Sequence, residues 1–257
     1  MKSMPVIVLS VIALGCGPAP TTRVLPVLAT ATSGDLTLEL LGAEPLHVGQ
    51  NYVSYRVTSA GVTAPHAMLT QHPLMDMGTL QHACPLQDPD HEPNADGLFP
   101  GLLVFTMASM ADATWSLDVE VALEHEDVPV KLSLGALTVG DSTLKQVMTR
   151  DGRRVTLTLG FSEGAPHVGK NPLVVTAHVA HDAMMMAFDP VTDLAFALTP
   201  EMPAMGHGSS NNQAPTVGED GLYRGTVNFS MSGDWVVHLG ASAGDGSVGT
   251  FDFPFSL

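Results

Sequence analysis

The chain carries the same unit twice. Three landmarks recur: the segments HVGQN (47–51) and HVGKN (167–171), the segments DGLFPG (96–101) and DGLYRG (220–225), and the tryptophans Trp115 and Trp235. The first and the last of these recur at an offset of 120 residues. Self-similarity at a fixed period is the signature of tandem domains, so the two halves should share one fold.

Short stretches of alternating apolar and polar residues fill both halves, for example WSLDVEV from Trp115 and VTLTLGF from Val155. Such patterns, broken by turn-forming residues, indicate strands of antiparallel sheets. No segment keeps helical spacing over three turns. We therefore predict an all-β fold of two tandem Ig-like antiparallel β-sandwich domains. Their predicted ranges are 33–137 and 153–257, with a linker at 138–152.

The tryptophan of each repeat is predicted to be core, because a large apolar residue at a strand start fills the gap between two sheets. Met107 and Met231 share the apolar phase of the preceding strands and are predicted to be core fillers as well.

The N-terminus predicts export. Lys2 is followed by an apolar run from Met4 to Leu14, which is too short to span a bilayer as a stable helix. Small residues come next, so residues 1–15 are interpreted as a signal peptide.

Gly15 followed by Cys16 resembles a bacterial lipobox, although Ala13 stands where that box usually has leucine. The resemblance implies cleavage after Gly15 and lipidation of Cys16, with residues 16–32 as a tether rich in Pro, Thr and Ala. The alternative is a plain secreted protein.

The charge balance excludes one class of partner. The chain has 10 Lys and Arg residues and a formal net charge of -16. Phosphate contacts need clustered cations, so nucleic acid is not an expected partner. The charge fits a solvated extracytoplasmic surface, held to the membrane by the lipid anchor.

The second repeat contains a loop whose composition predicts a metal site. Met202, Met205 and His207 follow one another closely, and Pro203 and Gly206 favour a loop that curls. Thioether sulfur is soft and neutral, so among biological ions it selects Cu(I) rather than Zn(II) or Ca(II). We therefore expect copper to bind as Cu(I) rather than Cu(II).

The first repeat offers Met75, Met77, His82 and Cys84 in the corresponding loop. Residues two apart in an extended segment point to the same side, so each pair could face one ion. If Cys16 is lipidated, Cys84 has no partner within the chain. It is then a free thiol, an intermolecular bridge, a soft-metal ligand or a buried inert thiol.

A third concentration of soft donors comprises His178, His181 and Met184–Met186, which could line the approach to the second loop. The alternative for all of these residues is packing, since methionine is a usual core filler. The chain has 14 methionines, which is compatible with either interpretation.

Catalysis has little support. The sequence has no GxSxG, no HExxH and no phosphate-cradling glycine loop, and it has no credible catalytic carboxylate pair on a predicted rigid element. We expect a protein that is not an enzyme.

The segments HVGKN, MPAMGHG and DGLYRGTVNFSMSGDWVVHL resemble the YtkA-like domain, which is related to FixH-type proteins of bacterial envelopes. The resemblance covers nearly all of 153–257, whereas the first copy departs from it, with Phe99 in place of the turn tyrosine. It implies an Ig-like sandwich, an extracytoplasmic location, and copper handling with Met202, Met205 and His207 as ligands. It also implies a link to the assembly of copper-containing oxidases.

The combined prediction is a lipid-anchored copper-binding protein of the bacterial cell envelope, acting as a chaperone or buffer with one loop site in each domain. An oxidase assembly factor is the envelope partner that this function suggests. The alternative is a structural or adhesive tandem Ig-like lipoprotein whose loops contact another envelope protein.

Overall fold

The computed structural model describes residues 25–43, 45–64, 66–123, 129–181, 185–244 and 246–257, without the side chains of 246–248. The predicted signal peptide, Cys16 and most of the predicted tether lie outside these ranges. Within it all regular structure is β-strand, which confirms the all-β prediction. No helix in these ranges is long and apolar enough to cross a membrane.

The first sandwich contains twelve strands. They are β1 (Val27–Ser33), β2 (Leu36–Gly42), β3 (Leu46–His47), β4 (Gly49–Ser59), β5 (Val62–Thr63), β6 (Ala67–Asp76), β7 (Gln81–His82), β8 (Leu86–Gln87), β9 (Phe99–Phe105), β10 (Thr114–Leu123), β11 (Val130–Leu137) and β12 (Val139–Gly140). One sheet has the order β1-β2-β4-β9-β8 with β5 on β4, and the facing sheet has the order β11-β10-β6-β7. Strands β12 and β3 form a short parallel pair.

The second sandwich contains ten strands. They are β13 (Lys145–Arg150), β14 (Arg153–Phe161), β15 (Gly169–Ala180), β16 (Phe188–Pro190), β17 (Ala195–Met202), β18 (His207–Gly208), β19 (Gln213–Val217), β20 (Tyr223–Phe229), β21 (Asp234–Ala243) and β22 (Gly246–Ser256). Its sheets have the orders β13-β14-β15-β20-β19, with β16 on β15, and β18-β17-β21-β22. The first order matches β1-β2-β4-β9-β8, and the second, read in reverse, matches β11-β10-β6-β7. The two repeats of the sequence therefore share one sheet topology.

Each sandwich begins one strand earlier than the sequence pattern indicated. Strand β1 overlaps the predicted tether, and β13 lies inside the predicted linker but pairs with β14. Both are edge strands with few buried residues, so their alternation is faint. The segment between the sandwiches is also ordered, because Val48 donates a backbone hydrogen bond to Gly140.

The tryptophans are core, as predicted. Both are buried between the sheets, and their indole N–H groups donate to the carbonyls of Met107 and Met231 at 2.8 and 3.0 Å. Met107 packs against the first core, whereas Met231 is 41% exposed. The prediction that Met231 fills the core is therefore wrong. Its backbone carbonyl accepts the hydrogen bond from Trp235, while its side chain is exposed to solvent.

The repeated HVGxN motif closes a turn. The Asn51 side chain accepts the N–H of His47 at 3.0 Å and donates to the carbonyls of His47 and Gly49 at 2.7 and 3.0 Å. Asn171 makes the same three bonds in the second repeat. Three bonds from one buried amide fix the entry of the long central strand, so the motif is structural.

The two sandwiches pack through the outer faces of their larger sheets. Gln50 of β4 is buried, and its side-chain nitrogen donates to the carbonyls of Thr158 and Val174 at 3.1 and 3.0 Å. Gly160 leaves room for it, since an added Cβ there would lie 2.7 Å from the Gln50 Oε1. An apolar cluster surrounds this contact, formed by Leu102, Val104, Val174 and Leu222 with Tyr52.

The Gln50→Ala variant should destabilise this contact by about 1–2 kcal/mol, because two buried carbonyls lose their donor. Urea unfolding followed by tryptophan fluorescence measures the loss. The Arg56→Ala variant is the matched control, since Arg56 lies on the same strand in a partly exposed ion pair with Glu39. Equal losses of stability in the two variants would contradict a stabilising role for the buried Gln50 hydrogen bonds between the sandwiches.

Candidate functional site

The second Met/His loop is a tight β-hairpin. Met202 at the end of β17 pairs directly with His207 of β18, and the four residues between them form the turn. The backbone N–H groups of Met205 and Gly206 both donate to the Met202 carbonyl at 3.0 Å. Gly206 has a positive φ of 63°, a region that glycine enters without strain. The loop therefore curls as its Pro and Gly residues predicted.

The two methionines of this hairpin lie in different environments. Met202 is 4% exposed and belongs to the second core, where its terminal methyl packs over Gly233. Met205 is 62% exposed at the tip of the turn. Cross-strand partners such as Met202 and His207 have Cβ atoms about 4.5–5.5 Å apart and share one face of the hairpin.

His207 presents one ring nitrogen as a possible ligand. Its ring meets Trp235 edge to face, with the ring centroids 6.0 Å apart. Its Nδ1 lies 3.0 Å from the carbonyl oxygen of Gly208. A carbonyl can only accept, so Nδ1 carries the proton and Nε2 keeps its lone pair. Hydrogen bonds of this kind orient metal-binding histidines.

The first repeat contains the same cross-strand pair. Met75 of β6 pairs directly with His82 of β7, and the Met77 N–H donates to the Leu80 carbonyl at 2.9 Å to close the turn. Here both members of the pair are buried, and Met77 is partly buried against the first core. The hairpin is thus conserved between the repeats, while its accessibility is not.

Cys84 lies in the first core as a free thiol. Burial raises the pKa of this thiol, so the protonated form dominates at neutral pH. A thiolate ligand or an intermolecular bridge would require this part of the core to open. The observed environment matches the buried thiol among the alternatives that the sequence left open.

The third concentration of soft donors lies elsewhere than expected. The Ala83 N–H of the first sandwich donates to the Met185 carbonyl at 3.0 Å. Met186 lines a cleft of about 470 Å³ together with Leu74 and Pro85 of the first sandwich. This segment therefore lies against the first domain and not beside the second hairpin; Met184 falls outside the described residues.

Two histidines have environments that the sequence did not indicate. His178 is buried on the outer face of β15, its Nδ1 has no hydrogen-bond partner in the described structure, and burial lowers its pKa to about 4. His238 lies between Asp252, 2.7 Å from its Nδ1, and Glu201, 3.2 Å from its Nε2. Mainly through Asp252, these carboxylates raise the pKa of His238. Only strand pairing brings these groups together.

Across the described ranges, no group of three or more His, Cys, Asp or Glu side chains is arranged to hold a metal ion. An ion at either hairpin would therefore depend on methionine sulfur with one imidazole.

Residues 150–240 match the family model described as YtkA-like. The match extends from the end of β13 into β21 and includes the β17–β18 hairpin. It confirms the resemblance of the second repeat to that family. No curated protein gives a significant match to the chain.

Several solved structures align with the chain at low identity. The adhesin InvE of Yersinia pseudotuberculosis is 12% identical with a TM-score of 0.25, and the alignment covers 89% of this chain and 61% of that one. A DUF4785 family protein of Legionella pneumophila is 12% identical with a TM-score of 0.29, and the alignment covers 87% of this chain and 56% of that one. The D0-D1 domain of Intimin is 14% identical with a TM-score of 0.24, and the alignment covers 79% of this chain and 89% of that one. Such low TM-scores give these similarities no functional weight.

Proposed function

We propose that the second sandwich binds Cu(I) at the β17–β18 hairpin, with Met202, Met205 and His207 as ligands. One observation supports this most: both repeats place a methionine opposite a histidine across the same hairpin, next to the core tryptophan. The imidazole that recurs at this position is a metal donor that packing alone does not require.

The donor chemistry favours copper in its reduced state. Two neutral thioethers and one imidazole suit a soft monovalent ion, whereas Zn(II) and Ca(II) prefer charged thiolates or carboxylates. The exposed Met205 would capture the ion first, and the His207 Nε2 would hold it against the hairpin. Met202 would turn its sulfur from the core edge to complete the set.

The first hairpin is the weaker candidate. Met75 and His82 are buried there, so an ion could reach them only if the hairpin opened. Met77 and Cys84 would join such a site under the same condition. We propose the second hairpin as the exchangeable site, so one equivalent of Cu(I) per chain should bind readily.

The cellular role that we propose follows from the sequence. The apolar run before Cys16 supports export and lipid anchoring in a bacterial envelope. A copper site that exchanges its ion suits a non-enzymatic chaperone or buffer. Delivery to a copper-oxidase assembly factor is the partnership that we propose for it.

The Met205→Leu variant tests the site. Leucine keeps volume and apolarity, and Met205 is not in the core, so stability should change by well under 1.5 kcal/mol. Cu(I) affinity should fall at least about tenfold, because even indirect partners of metal ligands contribute that much. Competition with a chromogenic Cu(I) chelator measures the affinity.

The matched control is Met231→Leu, which removes another exposed methionine in the neighbouring loop. It should leave Cu(I) affinity unchanged. Unaltered affinity in Met205→Leu would exclude the hairpin as the copper site.

A second function has one supporting observation. Met75 and Met202 are both core residues, which is what the packing interpretation predicts. If copper does not bind, we propose a structural tandem sandwich whose loops contact another envelope protein. This function would be favoured if neither the wild-type chain nor Met205→Leu takes up Cu(I) from the chelator.

A further inference from the structure

The hairpin methionines differ sharply in their access to solvent, and this difference has a chemical consequence. Met205 is 62% exposed, while Met202, three residues earlier, is 4% exposed. Met75 of the first hairpin is fully buried. A small polar oxidant reaches sulfur only where solvent does, so the turn holds one reactive thioether beside protected ones.

We propose that Met205 is a modification site for hydroperoxides, and that its sulfoxide releases the bound ion. This inference rests on the proposed copper site. The Sδ lone pair attacks the terminal OH oxygen of the hydroperoxide, and the O–O bond breaks. The second oxygen leaves and takes up the proton that the transferred OH gives up, so it departs as water from hydrogen peroxide or as an alcohol from an organic hydroperoxide. Sulfur loses two electrons, and each of the two peroxide oxygens gains one.

The modification replaces a soft donor with a hard one. A sulfoxide offers a polar oxygen, which suits Cu(I) poorly. The remaining donors, Met202 and the His207 Nε2, would hold the ion much less firmly. Oxidation at this one atom therefore acts as a switch on the affinity of the site.

The fold should tolerate the sulfoxide. Met205 belongs to neither core, and its backbone N–H donates to the Met202 carbonyl. The added oxygen would point into water and leave no unsatisfied polar group. Oxidation of the buried Met202 would instead place an oxygen in the core beside Gly233.

The test treats the full chain with limiting hydrogen peroxide and maps its peptides by mass spectrometry. Met205 should gain one oxygen at least about tenfold faster than Met202 or Met75, because reactivity follows exposure. Chelator competition before and after treatment should show an affinity loss as large as that of untreated Met205→Leu. A methionine sulfoxide reductase should restore it.

Two variants separate the possible failures. Peroxide should not lower the affinity of Met205→Leu any further, whereas Met231→Leu should remain as sensitive as the wild-type chain. If Met205→Leu lowers the affinity but oxidised wild-type protein still binds normally, the switch is disproved and the site stands. If untreated Met205→Leu binds as tightly as wild type, the copper site itself fails, and the switch fails with it.

Discussion

Replacement of Gly225 by alanine is expected to destabilise the second sandwich by about 3 kcal/mol, at the upper end of the range for overpacking. Gly225 lies in β20 next to the irregular strand β19. An added Cβ would lie 2.6 Å from the Gln213 carbonyl oxygen and 3.0 Å from the Pro215 nitrogen. Both are backbone atoms, so no side-chain rotation can relieve the clash, and β19 would have to move.

Gly101 provides the matched control, because it ends the corresponding DGLxxG segment of the first repeat. There the nearest atoms to an added Cβ belong to the side chains of Pro89 and Gln71, at 3.2 and 3.3 Å. These contacts are much less close than the 2.6 Å approach to backbone at Gly225. Gly101→Ala should therefore cost only about 1 kcal/mol, partly offset by reduced freedom of the unfolded chain. Urea unfolding of the two variants should separate them clearly. Similar losses would mean that β19 adapts as easily as a side chain.

The same comparison explains how far the fold could be predicted from the sequence. The duplication and the alternating pattern were sufficient to predict two tandem sandwiches, because strands such as β6, β10 and β21 bury every second residue. They missed β1 and β13, whose exposed edges blur that alternation. Nor could they distinguish Gly101 from Gly225, since each glycine ends a similar segment and the difference lies in what packs against it.

For the candidate site, the loop conformation could be predicted from the sequence, but the burial of its side chains could not. The curled Met/His loop followed from Pro203 and Gly206, which act locally. Burial did not follow, because the sequence shows Met202 and Met205 as two equivalent donors, and only the pairing of β17 with β21 places one in the core. Met231 was assigned to the wrong environment for the same reason. Environments set by distant strands, such as that of His178, could not be predicted from spacing.

Acid should destabilise the second sandwich through His178. In the folded chain burial lowers the pKa of this imidazole from its ordinary 6.5 to about 4. Between these two pH values the unfolded chain binds a proton that the folded chain refuses. The contribution of His178 to the free energy of unfolding is therefore fully present above about pH 6.5 and is lost as the pH falls towards 4. A pKa difference of this size corresponds to about 3 kcal/mol.

Replacement of His178 by leucine removes the titrating group, and its Nδ1 has no partner in the described structure that the change would leave unpaired. Urea unfolding at pH values from 7.5 to 4.5 should show a much shallower loss of stability in this variant than in wild type. Carboxylates that titrate in the same range contribute equally to both proteins, so the difference between the curves reports His178 alone.

His238 supplies a control of opposite sign. Asp252 and Glu201 raise its pKa, so its contribution to stability is present in acid and is lost as the pH rises through the folded-state value. His238→Gln should therefore lose more stability on acidification than wild type, because it lacks the stabilisation that the charged imidazole supplies at the acid end. If His178→Leu and wild type instead lose stability in parallel between pH 6.5 and 4.5, the buried imidazole is not the group that limits acid stability.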